Sequence, residues 1–244
     1  MPPAEKTKKS KTTDKSGDKD KVHKLSLKGS SKLVTEFFEY SINTILFQRG
    51  VYPAEDFTAI KKYGLNMLVS ADDQVKAYIR KIMSQLSKWM LGGKISKLVI
   101  VITSKDTGEN LERWQFDVQL QGKAAKAKSP PTTAAATTDT SGSTSKENSA
   151  LATAAAASEK TEKEIQEEIQ SLFRQITASV TFLPMLDGRC TFNVLVYADG
   201  DAEVPMEWGD SDAREIVGGE KVTLRSWGTS SHKVDTLVSY RLAD

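Results

Sequence analysis

The sequence predicts an α+β fold in which three helices pack on a mainly antiparallel β-sheet. Three segments carry apolar residues at helical spacing, and about five carry the pattern of strands. The strand segments near residues 98–120 and 222–242 follow one another closely along the chain, as the two halves of a hairpin do. Such neighbours favour antiparallel pairing over a doubly wound parallel sheet.

The first predicted helix begins at Ser30 or Ser31, either of which can cap it. Arg49, Gly50 and Pro53 then signal its end. One broad face of this helix is apolar and consists of Val34, Phe37, Phe38, Ile42, Ile45 and Leu46. We expect that face to pack against the sheet.

The second and third predicted helices each begin at a capping-box spacing, in which an acidic residue follows a Ser or Thr by three positions. Ser70 precedes Asp73 at the second helix, and Thr161 precedes Glu164 at the third. The pair Gly92-Gly93 ends the second helix. Apolar residues at offsets of three and four form the two stripes: Val75, Ile79, Ile82, Leu86 and Trp89, then Ile165, Ile169, Leu172, Phe173 and Ile176.

About five segments carry strand signals, the last two of them in one hairpin. Residues 98–102 are consecutive aliphatic residues, as in a strand covered on both faces, and residues 112–120 alternate apolar with polar side chains apart from Glu112 at the start. A turn separates the two, which predicts a hairpin. Residues 191–197 predict another strand, and residues 222–242 predict a closing hairpin after a polar connector that carries Trp208.

Two segments are too poor in apolar residues to fold by themselves. Residues 1–24 are mostly Lys, Asp, Thr and Ser, and we expect a disordered tail there. Residues 122–158 are rich in Ala, Ser and Thr and lack an apolar stripe, which predicts a flexible inserted loop. A connection of that length could also mark a domain boundary, and the pattern alone leaves both interpretations open.

Composition excludes several classes of protein. The chain has 34 Lys and Arg residues against 32 Asp and Glu residues, so its net charge of +2 creates no field that would attract nucleic acid or an anionic membrane. A single cysteine rules out an internal disulfide framework, and the N-terminus lacks the apolar run of a secretory signal. No stretch approaches the roughly 20 apolar residues of a membrane helix. We therefore expect a protein of a reducing compartment.

No residues in the sequence make a convincing catalytic or cofactor site. Cys190 and His232 are the one possible nucleophile and base in the predicted folded region, and a buried thiol with a strand histidine is the more economical interpretation. Metal-ligand spacings and a phosphate-binding glycine loop are both missing from the sequence. The sequence thus predicts a non-enzymatic binding module without a cofactor or a metal.

Four segments together closely resemble the HORMA domain family, in particular its spindle-checkpoint branch. They are VTEFFEYSINTILFQRGVYP at residues 34–53, LERWQFD at 111–117, RQITASVTFLP at 174–184 and SHKV at 231–234. The similarity runs on both sides of the predicted loop. It therefore implies one domain over residues 25–244, with the loop inserted into it.

The resemblance implies a mobile C-terminal segment, the safety belt, at residues 198–244. In the family this segment holds an open or a closed position, and in the closed position it wraps a partner peptide that adds as a strand to the sheet. The implied partners are a coiled-coil checkpoint receptor at the kinetochore, the activator subunit of the anaphase-promoting complex, a second copy of the chain, and an AAA+ remodelling ATPase with its HORMA adaptor. The implied locations are nucleus, kinetochore and cytoplasm, with neither nucleic acid nor membrane as a partner.

The resemblance also assigns residues to two surfaces. Arg174, Gln175 and Phe182 match a dimerisation surface, and Arg174 lies nearly opposite the apolar stripe of the third helix, where it faces solvent or a partner. The residues assigned to the peptide site are Trp89, Leu195, Tyr197, Trp208 and His232.

Two alternatives remain at this point. A different HORMA protein, such as the regulatory subunit of a translesion polymerase or a component of the meiotic chromosome axis, would clasp peptides by the same physics. The LERWQFD and RQITASVTFLP segments favour the checkpoint branch over it. An enzyme built on Cys190 and His232 is the alternative of another class, and it lacks a group to orient the base.

Overall fold

A computed structural model describes residues 25–121 and 160–242, which form three helices and eight strands. Two single turns of 3-10 helix, at Ala54–Asp56 and Ser179–Thr181, join them. The helices and strands in chain order are α1 Leu27–Gln48, β1 Phe57–Lys62, β2 Leu65–Ser70, α2 Asp73–Leu91, β3 Ile95–Ser104, β4 Asn110–Leu120, α3 Glu162–Ala178, β5 Cys190–Ala198, β6 Glu220–Thr223, β7 Trp227–Gly228 and β8 His232–Tyr240.

The main sheet has the order β5-β3-β4-β8-β6, and every pair in it is antiparallel. The predicted hairpins at residues 98–120 and 222–242 are thereby confirmed. The C-terminal strand β8 pairs with β4 from Glu112↔Tyr240 to Leu120↔His232. The strand β5 pairs with β3 and has no strand on its other side within the described residues. It is therefore an open edge of the sheet.

The helices cover one face of the sheet. Phe37 of α1 is fully buried and touches the rings of Phe116, Phe173 and Trp227 at centroid distances of 5.8, 5.3 and 5.1 Å. Phe116 and Trp114 occupy even positions of β4, so the even positions face the helices and the odd positions, such as Arg113, face away. We call the side away from the helices the outer face.

The outer face is partly buried as well. Val99 and Val101 of β3 are 0% and 1% exposed, yet they lie outside the main core cluster. Ile216, from the connection between β5 and β6, is buried and also separate from that core. The burial of β3 on both faces agrees with its run of consecutive aliphatic residues.

The starts of two helices differ from the prediction. Ser26 caps α1 by accepting a hydrogen bond from the Gly29 amide at 3.1 Å, which adds a turn before the predicted start at Ser30 and Ser31. Asp72 caps α2 because its carboxylate accepts from the Val75 amide at 2.8 Å. Ser70, the predicted start of α2, is instead the last residue of β2.

The capping box at the start of α3 is confirmed, with Thr161 and Glu164 bonded reciprocally. Sequence analysis missed the hairpin of β1 and β2. Its turn at Tyr63 and Gly64 has φ of 50° and 68°, the left-handed conformation of a two-residue hairpin loop.

The predicted tail at residues 1–24 and the predicted loop at residues 122–158 lie outside the described residues. Within residues 25–121 and 160–242, no helix combines the length and the apolarity that crossing a membrane requires.

Candidate peptide-binding site

The open edge of β5 is the place where the sheet can accept another strand. Phe192 and Val194 point from β5 into the main core, whereas Leu195 and Tyr197 alternate with them and lie on the outer face, partly buried. An unpaired edge presents a row of backbone N–H and C=O groups that an extended peptide can bond.

The chain leaves β5 on the helix side of the sheet. We call residues 199–219, which join β5 to β6, the crossing segment. The Trp89 indole N–H of α2 donates to the Glu203 carbonyl at 2.9 Å, and its ring meets that of Trp208 edge-on with centroids 5.1 Å apart. The Asp199 amide donates to the Lys94 carbonyl at 2.7 Å. Trp89 and Trp208, both assigned to the peptide site, are thus brought together.

The crossing segment is next held on the outer face. Arg113 of β4 donates from Nε to the Ala213 carbonyl at 3.0 Å, and its Nη2 lies 3.4 Å from a carboxylate oxygen of Glu215. Arg113 faces away from the helices, so residues 213–215 lie on the opposite side of the sheet from Trp89. Arg113 alternates with the inward-facing apolar residues of β4, and on the outer face the crossing segment covers it.

Only four residues separate Trp208, on the helix side, from Ala213, on the outer face, and the five steps along the chain span at most about 18 Å. Tyr78 of α2 touches Phe192 of β5, with ring centroids 5.5 Å apart, so α2 lies directly behind β5. The short route from α2 to the outer face therefore passes around the β5 edge. The crossing segment makes a strap over the open strand.

Tyr78 also lines this edge and was missed by sequence analysis. Its side chain is 40% exposed, and its hydroxyl is hydrogen-bonded to the backbone of Val194. Burial raises the pKa of Tyr78 above its ordinary value, and the bond to Val194 opposes that rise. Tyr78 lies six residues after the Asp72 cap of α2, at an ordinary helical position. The sequence therefore carries no signal that predicts its contact with β5.

The outer side of the edge is polar. The Lys97 ammonium lies 5.0 Å from the centroid of the Tyr197 ring, and the Tyr197 hydroxyl is 3.5 Å from Nη2 of Arg113. A cation over the face of a ring is attracted to it, which holds the Tyr197 side chain against the sheet.

The residues assigned to dimerisation lie together on α3 and the turn after it. Arg174 is exposed, as predicted from its position opposite the apolar stripe. Gln175 is half-buried, and its side-chain oxygen accepts from the Arg225 amide at 2.7 Å. Phe182 is 40% exposed, and its ring centroid lies 6.4 Å from that of Tyr240. The exposed members leave this surface available to a partner.

His232 does not join the peptide site. It is 0% exposed at the start of β8, and its Nδ1 lies 2.7 Å from the hydroxyl of Ser30 on α1. Three strand spacings separate β8 from β5 in the sheet. Burial lowers the pKa of His232 to about 4. The structure thus gives His232 a packing role under the C-terminal hairpin, and its assignment to the peptide site has no support in the geometry.

The enzyme alternative fails on distance. Cys190 pairs with Ser104 at one end of the sheet, whereas His232 pairs with Leu120 at the other end and three strands away. Burial also raises the pKa of the Cys190 thiol, which disfavours the thiolate that a nucleophile needs. Among the described residues, no cluster of three or more His, Cys, Asp or Glu side chains could hold a metal ion.

Comparison with known proteins identifies the family of this chain. The HORMA domain family matches residues 30–232. The mitotic spindle checkpoint component mad2 of Schizosaccharomyces pombe is 54% identical to this chain over 218 residues. The match covers 89% of this chain and 95% of the relative. The human mitotic spindle assembly checkpoint protein MAD2A is 41% identical over 89% of this chain and 93% of its own length.

The fold of this chain also matches solved structures. A chain in the crystal structure of a mitotic checkpoint complex is 52% identical, with a TM-score of 0.69 over 87% of this chain and 99% of its own length. HTP-2 of C. elegans, in a structure bound to an HTP-3 closure motif, is 13% identical with a TM-score of 0.66, over 93% of this chain and 97% of its own, and supports the fold alone. The chain therefore belongs to the HORMA domain family, within the group of MAD2 spindle checkpoint proteins.

Proposed function

We propose that this protein acts in the spindle assembly checkpoint by clasping an extended partner peptide between the β5 edge and the crossing segment. The observation that carries the proposal is the strap itself, fixed to α2 through Trp89 and to the outer face through Arg113. A peptide that pairs with β5 lies inside this enclosure. It would leave only after the crossing segment is released or by sliding out along its own axis.

The energetics of strand addition fit a clasp. Each backbone hydrogen bond of a peptide with β5 contributes a net stabilisation of about 0.5–1.5 kcal/mol. Side chains of the peptide would alternate between the helix side, near Tyr78, and the outer face, near Leu195 and Tyr197. The hydrogen bonds give affinity, and the alternating side chains give selectivity.

Release by any route other than sliding requires the C-terminal hairpin or the crossing segment to move. In this structure β8 pairs with β4 and leaves β5 open, as a position of the belt that can accept a peptide strand requires. If β8 and its hairpin moved to the β5 edge, they would occupy the place of the peptide. We propose that the protein switches between these two positions, and that a bound peptide stabilises the closed one.

The partners that we propose are those of the spindle checkpoint. The peptide comes from a coiled-coil checkpoint receptor at the kinetochore or from the activator subunit of the anaphase-promoting complex, and sequestering the activator delays anaphase. A second copy of the chain docks on Arg174, Gln175 and Phe182. An AAA+ ATPase with a HORMA adaptor reopens the belt. The protein works in the nucleus, at the kinetochore and in the cytoplasm, without binding nucleic acid or membrane.

We propose further that the protein is not an enzyme. The separation of Cys190 from His232 and the raised pKa of the thiol support this. Its action would follow from binding alone, because a clasped activator is withheld from its complex.

The decisive experiment is a titration with a synthetic peptide from the activator subunit, followed by hydrogen exchange over residues 190–242, which include β5 and the crossing segment. We expect binding, together with slowed exchange of β5 and crossing-segment amides, and a scrambled peptide serves as the control. Binding without any protection of those amides would overturn the clasp. Absence of binding to the activator and receptor peptides alike would overturn the checkpoint partners.

A further inference from the structure

Arg113 is a buried charge on the outer face of the sheet. Its side chain is 2% exposed, in the first half of the central strand β4. A guanidinium is costly to remove from water unless hydrogen bonds and an opposite charge compensate it. Any movement that takes these compensating groups away from Arg113 therefore destabilises the protein.

Two of the four partners of Arg113 belong to the crossing segment. Nε donates to the Ala213 carbonyl at 3.0 Å, and Nη2 lies 3.4 Å from a carboxylate oxygen of Glu215. The other two lie on the sheet, namely the Gln115 side-chain oxygen at 2.5 Å from Nη1 and the Tyr197 hydroxyl at 3.5 Å from Nη2. Within the described residues, Glu215 is the carboxylate with which this guanidinium forms an ion pair.

Lifting the crossing segment would remove the carboxylate and a carbonyl from Arg113 in one step. The sheet offers Gln115 and Tyr197, which are neutral and cannot replace the charge of Glu215. Ile216, the residue after Glu215, is buried outside the main core, and lifting the segment would expose it as well. The ion pair with Glu215 and the burial of Ile216 thus both hold this part of the crossing segment on the outer face.

We propose that Arg113 is the latch of the strap, a positioning residue that holds residues 213–216 on the outer face and so sets how slowly a clasped peptide leaves. The proposal rests on the clasp described above. Arg113 also approaches the Tyr197 hydroxyl on β5, so the latch touches the strand that would receive the peptide.

The crossing segment offers a matched pair of glutamates for the test. Glu215 is 54% exposed and lies 3.4 Å from the buried Arg113. Glu207 is 59% exposed and lies 3.6 Å from Lys81, whose side chain is itself 59% exposed. The two differ mainly in whether the cation is buried, so E215Q tests the latch and E207Q is its control. R113K tests the arginine itself, because a lysine keeps the charge but cannot reach Ala213 and Glu215 with one planar group.

Hydrogen exchange without any peptide gives the first measurement. We expect the crossing-segment amides to exchange roughly threefold faster in E215Q and about tenfold faster in R113K than in the unchanged protein. The amides of β3 should exchange at their usual rate in both variants, which a general loss of stability would not allow. Unchanged exchange of the crossing segment in E215Q and R113K would overturn the latch.

The dissociation rate of the activator peptide gives the second measurement. E215Q should raise this rate roughly threefold and R113K about tenfold, with E207Q within a factor of two. In the double variant the two effects should not multiply, because the two residues act through one contact. If the unchanged protein binds no peptide, the clasp fails, and the exchange experiment still decides the latch. If the peptide binds but dissociates from the unchanged protein and from all variants at the same rate, only the proposed role of Arg113 fails.

Discussion

Replacing Arg49 by Met would leave a carboxylate buried without its cation. Glu112 of β4 is 1% exposed, and one of its oxygens lies 2.7 Å from Nε and 2.5 Å from Nη2 of Arg49. Its other oxygen accepts from the Trp114 indole at 3.1 Å, and Arg49 also donates to the Pro184 carbonyl. The pair thus ties the end of α1 to β4 and to the loop before β5.

Removing one partner of a buried ion pair costs about 3–5 kcal/mol of unfolding free energy. The Trp114 bond remains, so we expect R49M to lose about 3 kcal/mol, measured by urea denaturation at neutral pH. Burial already raises the pKa of Glu112 despite the attraction of Arg49, and without Arg49 this pKa rises further. Because the pKa of Glu112 is raised in the folded state, the loss of unfolding free energy in R49M is complete above that pKa. The loss disappears as the pH falls below the ordinary pKa of a glutamate.

Arg189 supplies a control for this experiment. It pairs with Asp106 at 3.2 Å, but the two side chains are 81% and 51% exposed. We expect R189M to lose less than about 1 kcal/mol, as exposed pairs generally do. If R49M cost no more than R189M, or if its cost did not shrink in acid, the buried pair would not have the role assigned to it. The double variant R49M/E112Q should recover part of the loss.

Three further predictions concern other parts of the fold. His232, with its pKa lowered to about 4 in the folded protein, binds its proton more weakly there than in the unfolded chain, so stability should fall by up to about 3 kcal/mol as the pH drops from 6.5 to 4. Urea denaturation across that range should show the fall, and an equal fall in H232Q would refute this cause. Gly64 has φ of 68° and a Cβ there would lie 2.8 Å from Gln170, so G64A should cost about 2 kcal/mol by the same method. G108A, at φ of 75° in open space, should cost about 1 kcal/mol, and equal costs would exclude the contact with Gln170. R174E should abolish self-association in analytical ultracentrifugation while leaving the affinity for the activator peptide unchanged, and a stable dimer of R174E would contradict the assigned surface.

Sequence reasoning located the elements whose signals are local. The apolar stripes of all three helices and the reciprocal cap of Thr161 and Glu164 follow from residues within a few positions of each other. The caps at Ser26 and Asp72 were missed because Ser30 and Ser70 offered equally good side chains nearby. The hairpin of β1 and β2 was missed because its turn, Tyr63 and Gly64, departs from the common turn pairs.

The site was harder to predict because it depends on contacts between distant parts of the chain. Arg113 and Gln115 alternate with apolar residues and therefore resemble a solvated face. Arg113 is buried only because residues 213–215, about a hundred positions away, lie over it. The peptide residues were assigned through family resemblance; the structure brings Trp89 and Trp208 into contact but places His232 on β8, three strands away from β5.

The open edge of β5 has a further consequence for the protein in a crowded cell. A bare sheet edge is a template on which identical chains can pair and aggregate, and many proteins block such edges with charges, prolines or covering loops. Here the short strap does the covering, and its exposed acidic residues Glu203 and Glu207 repel a second copy that carries the same charges. The segment that retains a ligand thereby also keeps unwanted strands away, so variants that loosen it should precipitate sooner than they unfold.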